Sequence, residues 1–515
     1  MISALKLQNF KAVASTDWLP LNSVTVLAGT NSCGKSTLIQ PILLFKQTFA
    51  EQRPRMLLNL NGPLVKLGQL QEVVTNHDRS RPVVFGFQMQ LPRTWPVTRS
   101  GYRQQASSET RQLEVTVGFT AERQDIRISQ LALKILGGPE TDSVEFKRVA
   151  SGKYDVTFSS LALSLDGFYS VGRVLRTRSY VSGLDKTPVV FKGVQVDFHG
   201  FIPISISGQF GRVLKSSLTS IGMPESDWPE VENCLRRESP GRRRELPLSP
   251  RLSFRVIEAL RRAFGSVSYI GPLREEPRRH YVYEQGAALD IGSRGEYAAQ
   301  ILFLEQRDKV RFFPSVQDQH EVEMTLMEAV RYWICEQFSI ADQLKIDTVD
   351  NAIYQVRLAG PTDSGVSVTI SDVGFGVSQV LPIVVEGLRS KQGATLILEQ
   401  PEIHLHPRVQ SRLADFIMCM ARSGRRIILE THSDHLVTRL RRRIAEDASG
   451  ELSKLVAMYF VRQEQGTTLV EPLVLDEYGV IANWPRDFFD EADLDLRALV
   501  AAQAARLRIT KVSKE

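Results

Sequence analysis

Apolar and polar positions change rhythm three times along the chain. The stretch ISALKLQNF (2–10) alternates and predicts a half-buried strand, and SVTVLAG (23–29) predicts a second, more buried one. A Gly/Asn/Ser loop then leads into STLIQPILLFKQTF (36–49), whose apolar spacing is helical. From about residue 83 to 210, short β-type runs such as PVVFGFQMQL, LEVTVGF and IRISQLALKIL alternate with Gly, Pro and Ser clusters and predict an antiparallel sheet. Residues 225–250 are Pro- and Arg-rich and read as an exposed linker. Helical spacing returns in RLSFRVIEALRRAF, EYAAQILFLEQ and VEMTLMEAVRYWICEQF. After residue 365, VSVTI reads as a strand and VSQVLPIVVEGL as a helix. ATLILE and RRIILETHS are continuous apolar runs of the kind that form buried parallel strands, with the helical VQSRLADFIMCMA between them. The expected fold class is α/β: a mixed-sheet head whose halves lie at the two ends of the chain, with an antiparallel β subdomain and a large β/helical insertion between them. The expected units are 1–90 and 346–475 for the two halves of the head, 91–225 for a β-rich lobe, 226–345 for a basic linker and helical region, and 476–515 for a tail.

Composition narrows the class. At 515 residues, 43% apolar and 24% charged, the chain can bury a large core, which excludes a wholly disordered protein, a collagen-like fibre and a disulfide-held miniature scaffold. Cys33, Cys234, Cys335 and Cys419 are widely spaced and suit a reducing cytoplasm. No apolar run approaches a membrane span, so no membrane partner is expected. The net charge is +6, yet twelve arginines face five glutamates between Arg236 and His280, so this stretch accounts for the whole excess. Such a block fits a polyanion partner or a solvated face.

The chemistry starts at GTNSCGKS (29–36), which fits G-x-x-x-x-G-K-[S/T] between a strand and a helix. Gly29, Asn31 and Gly34 belong to a loop that can wrap its N–H groups around phosphate oxygens at a helix N-terminus, and Thr37 opens that helix. Lys35 is expected to reach the β- and γ-phosphates of ATP, and Ser36 to supply a hydroxyl to Mg²⁺. An acidic metal partner is expected at the end of another buried strand, where Glu399 is followed by Gln400, Pro401 and Glu402. The strand ending in ETHS places His432 where an imidazole can sense the γ-phosphate.

Taken together, the P-loop region, SDVGFGVSQVLPI, EQPEIHLHP and ETHSDH resemble the ABC-type ATPases of the SMC/RecF/OLD group, over about residues 1–80 and 265–490. Within that group the chain is most similar to stand-alone prokaryotic AAA family ATPases of anti-phage systems such as the Septu ATPase subunit. The tail GVIANWPRDFFDEA resembles the end of one such subfamily. The resemblance implies ATP held between two heads, hence a homodimer or higher oligomer. One head gives the P-loop and the other a signature segment, here Ser371 to Gln379, with Ser371 or Ser378 as the contacting hydroxyl and Gly374 and Gly376 allowing close approach. It also implies a glutamine that couples the metal to the second lobe, for which Gln69 is the candidate.

The chain departs from the family at Gln400. The usual Asp-Glu pair reads Glu399-Gln400, and a neutral amide cannot act as a general base. Either Glu402 replaces it or hydrolysis is slow. Arg274, Arg278 and Arg279, with Arg242, Arg243 and Arg244, are candidate contacts to double-stranded DNA; an inter-lobe salt-bridge cluster with Glu275 and Glu276 is the alternative for the first three. His404 and His406 read as structural, Arg439 to Arg443 as a solvated helix face, and Trp484, Phe488 and Phe489 as a docking or self-packing segment. The expected function is a cytoplasmic, slowly hydrolysing ATPase subunit of an anti-phage system that regulates a separate nuclease or other toxic effector. The alternative is a RecF-like DNA-binding ATPase of repair or recombination. A built-in Toprim nuclease is excluded by the short region after His432, and a transporter subunit fits the large insertion badly.

Overall fold

The computed structural model describes residues 1–51, 56–91, 111–122, 125–137, 142–159, 188–208, 219, 223–238, 244–247, 250–282, 290–350, 353–359, 367–373, 376–485, 495–496 and 498–503. Two sheets organise them. The first is an eleven-stranded antiparallel sheet. It begins where Ile2–Phe10 pairs with Val83–Gln90, and continues as a meander through Gln112–Glu122, Asp125–Leu136, Asp142–Arg148, Tyr154–Phe158, Val189–His199 and Ile202–Gly208 to Arg244–Pro247. Alternating burial along these strands turns one face to the core, as in the buried–intermediate alternation of Gln112–Glu122. One sheet therefore runs through segments that the sequence pattern separates at residues 90 and 225.

The second sheet has six strands in the order Val267–Ile270, Thr395–Glu399, Arg426–Thr431, Val24–Gly29, Val456–Glu464 and Thr467–Leu473. All neighbours are parallel except the last hairpin. Thr395–Glu399 and Arg426–Thr431 are buried along their whole length, as their unbroken apolar runs predict.

A helical layer joins the sheets. Lys35–Ala50 packs beside Pro250–Gly265, and both contribute to a core that takes one face of each sheet. Phe45 sits at its centre, with ring centroids 4.7 Å from Phe87, 5.3 Å from Phe201 and 5.5 Å from both Phe85 and Phe264. The opposite face of the parallel sheet is covered by Gly376–Arg389, Pro407–Arg422 and Asp434–Ala445, through residues such as Val380, Leu413 and Leu436.

Two expectations need correction. The stretch read as a linker contains the helix Trp228–Glu238 and the strand Arg244–Pro247. Val231 is fully buried there, with Trp228 and Cys234 packed against the same core, apolar anchors that the surrounding charges conceal in the sequence. VEMT is a strand, Val322–Thr325, and the helix starts only at Leu326. Thr325 caps it reciprocally with Glu328, a T-x-x-E box that marks the true start. No described helix is long and apolar enough to cross a membrane.

Candidate nucleotide site

The P-loop strand Val24–Gly29 lies between Arg426–Thr431 and Val456–Glu464, so the loop leaves the C-terminal edge of the parallel sheet, where open α/β sheets bind ligands. Gly34 caps the following helix at φ 103°, with no side chain spending the first N–H groups. Those donors point at an approaching anion. The loop is braced from behind by the C-terminal hairpin. The Thr468 hydroxyl donates to the Cys33 carbonyl at 2.9 Å, and a Cβ on Gly29 would meet the carbonyl oxygen of Val461. Asn31 and Ser32 are exposed at the crest, and Thr37 is buried with its N–H on the Gly34 carbonyl. Lys35 is 4% exposed and donates to the carbonyls of Gly29 (3.1 Å) and Thr30 (2.6 Å), so its ammonium lies inside the loop.

Around this loop the ends of two neighbouring strands bring together Glu399, Glu402, Glu430 and His432. Ser36 Oγ donates to Glu430 Oε2 at 2.8 Å. Glu402 Oε1 accepts the His432 N–H at 2.6 Å, tying the turn after one strand to the end of the next. Its Oε2 is buried without a hydrogen-bond partner. Gln400 turns the chain at φ 44° and is held there by its N–H on the Glu430 carbonyl at 2.7 Å. The left-handed conformation costs a non-glycine residue about 1–2 kcal/mol, so tertiary contacts must hold this turn.

The electrostatics follow from burial. Glu399 is pushed up to about 7, first by desolvation and then by the charge of Glu430, against the Tyr269 hydroxyl and Arg274. Burial also raises Glu402 and Glu430; the Ser36 hydrogen bond and Lys35 oppose the rise at Glu430. His432 is lowered by burial and by the nearby charge of Lys35, which keeps its imidazole neutral at pH 7. The raised pKa of Glu399 has a testable consequence. The unfolded carboxyl ionises near 4.5, whereas the folded one holds its proton until about 7. This group's contribution to stability is therefore full below pH 4.5 and is lost as pH rises through 7. Glu399→Gln is expected to leave urea stability at pH 4.5 unchanged and to raise it by roughly 2–3 kcal/mol at pH 8. Equal shifts at both pH values would contradict this.

Other expected residues fall elsewhere. Arg274 is not a DNA contact: it is 5% exposed, and its Nη1 donates to the carbonyls of Pro272 (2.9 Å), Glu399 and Gln400 (both 3.2 Å). It fixes the turn that presents the acids, and burial lowers its pKa to about 10. Arg278 pairs with Glu275 at 2.9 Å, one of the two acids of the salt-bridge alternative, whereas Arg279 pairs with Asp372 at 3.0 Å, outside that pair of acids; both arginine side chains remain mostly exposed. Arg242, Arg243 and Gly374 lie outside the described residues, as do Phe488 and Phe489, and of Arg244 only the strand backbone is described. Ser378 and Gln379 are each 6% exposed inside the helix Gly376–Arg389. Ser371 sits in the partly exposed turn Ile370–Asp372, 2.8 Å from the Thr369 hydroxyl, and Gly376 opens the helix with free space around it. Gln69 caps a short turn with Glu72 and lines a groove with Leu58, Ala121 and Ile126; none of the P-loop acids lines that groove. His406 caps the helix Pro407–Arg422, as a structural histidine does. Arg439 and Arg443 share Asp415, and Arg441 stacks 4.7 Å over Trp484, so this helix face and the start of the tail pack on the head.

Sequence reasoning missed Glu430, Tyr269 and Thr468. The Glu430 signal was present in ETHS, one strand away from the acid the motif points to.

A buried lysine, a helix N-terminus whose first N–H groups no side chain occupies, a hydroxyl and a cluster of acids fit a nucleoside triphosphate with Mg²⁺. Among the described residues no group of three His, Cys, Asp or Glu can hold a metal alone. That is compatible with Mg²⁺, which takes one or two protein ligands and completes its shell with phosphates and water.

No curated protein aligns with the chain at a significant level. Solved structures with distant similarity include three SMC heads. An SMC head bound to the C-winged helix domain of ScpA shares 10% identity over 92% of this chain and 98% of that one, at a TM-score of 0.36. The SMC head domain from Thermotoga maritima shares 9% over 92% and 99%, at 0.33. The Smc head with an extended coiled coil bound to the C-terminal domain of ScpA, derived from Pyrococcus furiosus, shares 10% over 92% and 96%, at 0.37. Residues 453–499, which include the bracing hairpin, match a protein family of unknown function, DUF3696. Residues 24–438 match the family described as "AAA domain, putative AbiEii toxin, Type IV TA system", and with the P-loop, the strand-end acids and His432 inside that span, the chain belongs to this family of AAA-type ATPases.

Proposed function

We propose that the chain is an ABC-type ATPase subunit that binds ATP with Mg²⁺ between two heads and hydrolyses it slowly. The observation that carries this reading is the convergence of Lys35, Ser36, Glu399, Glu430 and His432 at one edge of the parallel sheet. Lys35 binds the β- and γ-phosphates, and the N–H groups behind Gly34 take the remaining phosphate charge. Ser36 and Glu399 would hold Mg²⁺, which when bound would neutralise charge on the phosphates. Ser371 is the hydroxyl offered to the partner head's nucleotide. Neutral His432 can hydrogen-bond the γ-phosphate but carries no charge to it.

Slow turnover follows from the acids. Gln400 can orient water but cannot take its proton. Glu402 has a free buried oxygen, yet its other oxygen is committed to His432, and burial weakens its tendency to ionise. Glu402→Gln is expected to lower an already slow rate by roughly 10²-fold, the scale of a lost general base. Fast wild-type turnover that the substitution leaves unchanged would overturn the assignment.

The resemblance to anti-phage ATPases supports a defence role in which the ATP-closed assembly restrains a separate nuclease or toxic effector in the cytoplasm. Purification from the native cell with ATP and Mg²⁺ tests it. A stoichiometric effector is expected to co-elute, and recovery of DNA alone would favour the RecF-like alternative. That alternative is weakened by the burial of Arg274.

A further inference from the structure

We propose that Glu430 is the carboxylate that orients the Ser36 hydroxyl toward Mg²⁺, a positioning role distinct from the metal-partner role read for Glu399. This rests on the reading of the P-loop as a Mg²⁺–ATP site. The strand order comes first. Glu430 lies in register with Leu27 on the strand directly beside the P-loop strand, whereas Glu399 is opposite Glu430, one strand further out. Glu430 Oε2 accepts the Ser36 hydroxyl proton at 2.8 Å, while Glu399 Oε1 accepts from the Tyr269 hydroxyl at 3.2 Å.

The direction of that proton matters. A hydroxyl coordinates a cation through an oxygen lone pair, so its hydrogen must point elsewhere. At Ser36 it points to Glu430, which leaves the lone pairs for the metal. Both partners are fixed: Glu430 is 5% exposed on a fully buried strand, and Ser36 is in the first turn of its helix. Carboxylates that aim a metal ligand in this way change metal affinity about 10–100-fold when they are removed.

The test uses the full chain and reads ATP affinity by calorimetry, once in excess EDTA and then across a Mg²⁺ titration. Glu430→Gln is expected to leave the EDTA affinity within about twofold and to raise the Mg²⁺ concentration for half-maximal tightening 10–100-fold. Ser36→Ala, which removes the metal ligand itself, should give a shift at least as large, and the double variant no more than Ser36→Ala alone, because Glu430 acts only through that hydroxyl. Glu430→Asp, which withdraws the carboxylate by one methylene, should move the midpoint in the same direction and covers the case in which the amide variant does not fold. An unchanged Mg²⁺ midpoint in both Glu430 variants, or shifts that add to that of Ser36→Ala, would overturn the proposal. Failure of the wild-type chain to bind ATP with or without Mg²⁺ would instead overturn the nucleotide reading on which it rests.

Discussion

Lys35→Ala is expected to abolish measurable ATP binding. The Lys35 ammonium is buried, and its two oxygen partners are carbonyls of the loop itself, Gly29 and Thr30. The same group therefore shapes the loop and supplies its positive charge. Truncating one partner of a buried charged contact costs about 2–5 kcal/mol, or roughly 30- to several thousand-fold in affinity. The upper end applies here, because Lys35 is the buried cation inside the loop itself. Arginine should not rescue, since a planar fork does not fit a space made for a compact ammonium. Calorimetry checks affinity, and urea unfolding of the same samples separates lost binding from lost fold. An affinity within fivefold of wild type would refute the role.

Gly29→Ala is expected to have the largest effect on folding. Gly29 adopts φ 151° and lies in register with Val461, and an added methyl would fall on the carbonyl oxygen of that neighbouring strand. A side chain can rotate away from such a clash, but a backbone in a parallel sheet cannot. Overpacking of about 1–3 kcal/mol and backbone strain of about 1–3 kcal/mol combine to roughly 3–5 kcal/mol, read as a drop in the urea midpoint. Gly265→Ala is the control. Nothing lies within 4 Å of an added methyl there, so the midpoint should move little.

The parts of the molecule most legible in the sequence were those where one short segment carries its own signal. The P-loop is contiguous, and the strands around it are unbroken apolar runs, so both fold and loop could be read. Glu430 could not, because its importance comes from strand order: only the placement of Arg426–Thr431 beside Val24–Gly29 brings it to Ser36. Arg274 failed for the opposite reason. An arginine among other arginines suggests a surface, yet this one is spent on three backbone carbonyls in the interior. Ser371 and Ser378 were indistinguishable by type, and burial alone separates them.

The central strand Val24–Gly29 has a consequence for how the molecule is made. Its two sheet neighbours, Arg426–Thr431 and Val456–Glu464, come from the far end of the chain. At a synthesis rate of about 5–20 residues per second, the nascent P-loop strand waits on the order of half a minute to a minute and a half for the second of them. The antiparallel meander needs no such delay, since its strands pair mostly with the next in sequence. The ribosome therefore delivers a formed β lobe attached to a nucleotide loop without its sheet. During that interval the apolar strand is exposed to chaperones and to misassociation, and ATP can find its site only after nearly the whole chain has been released.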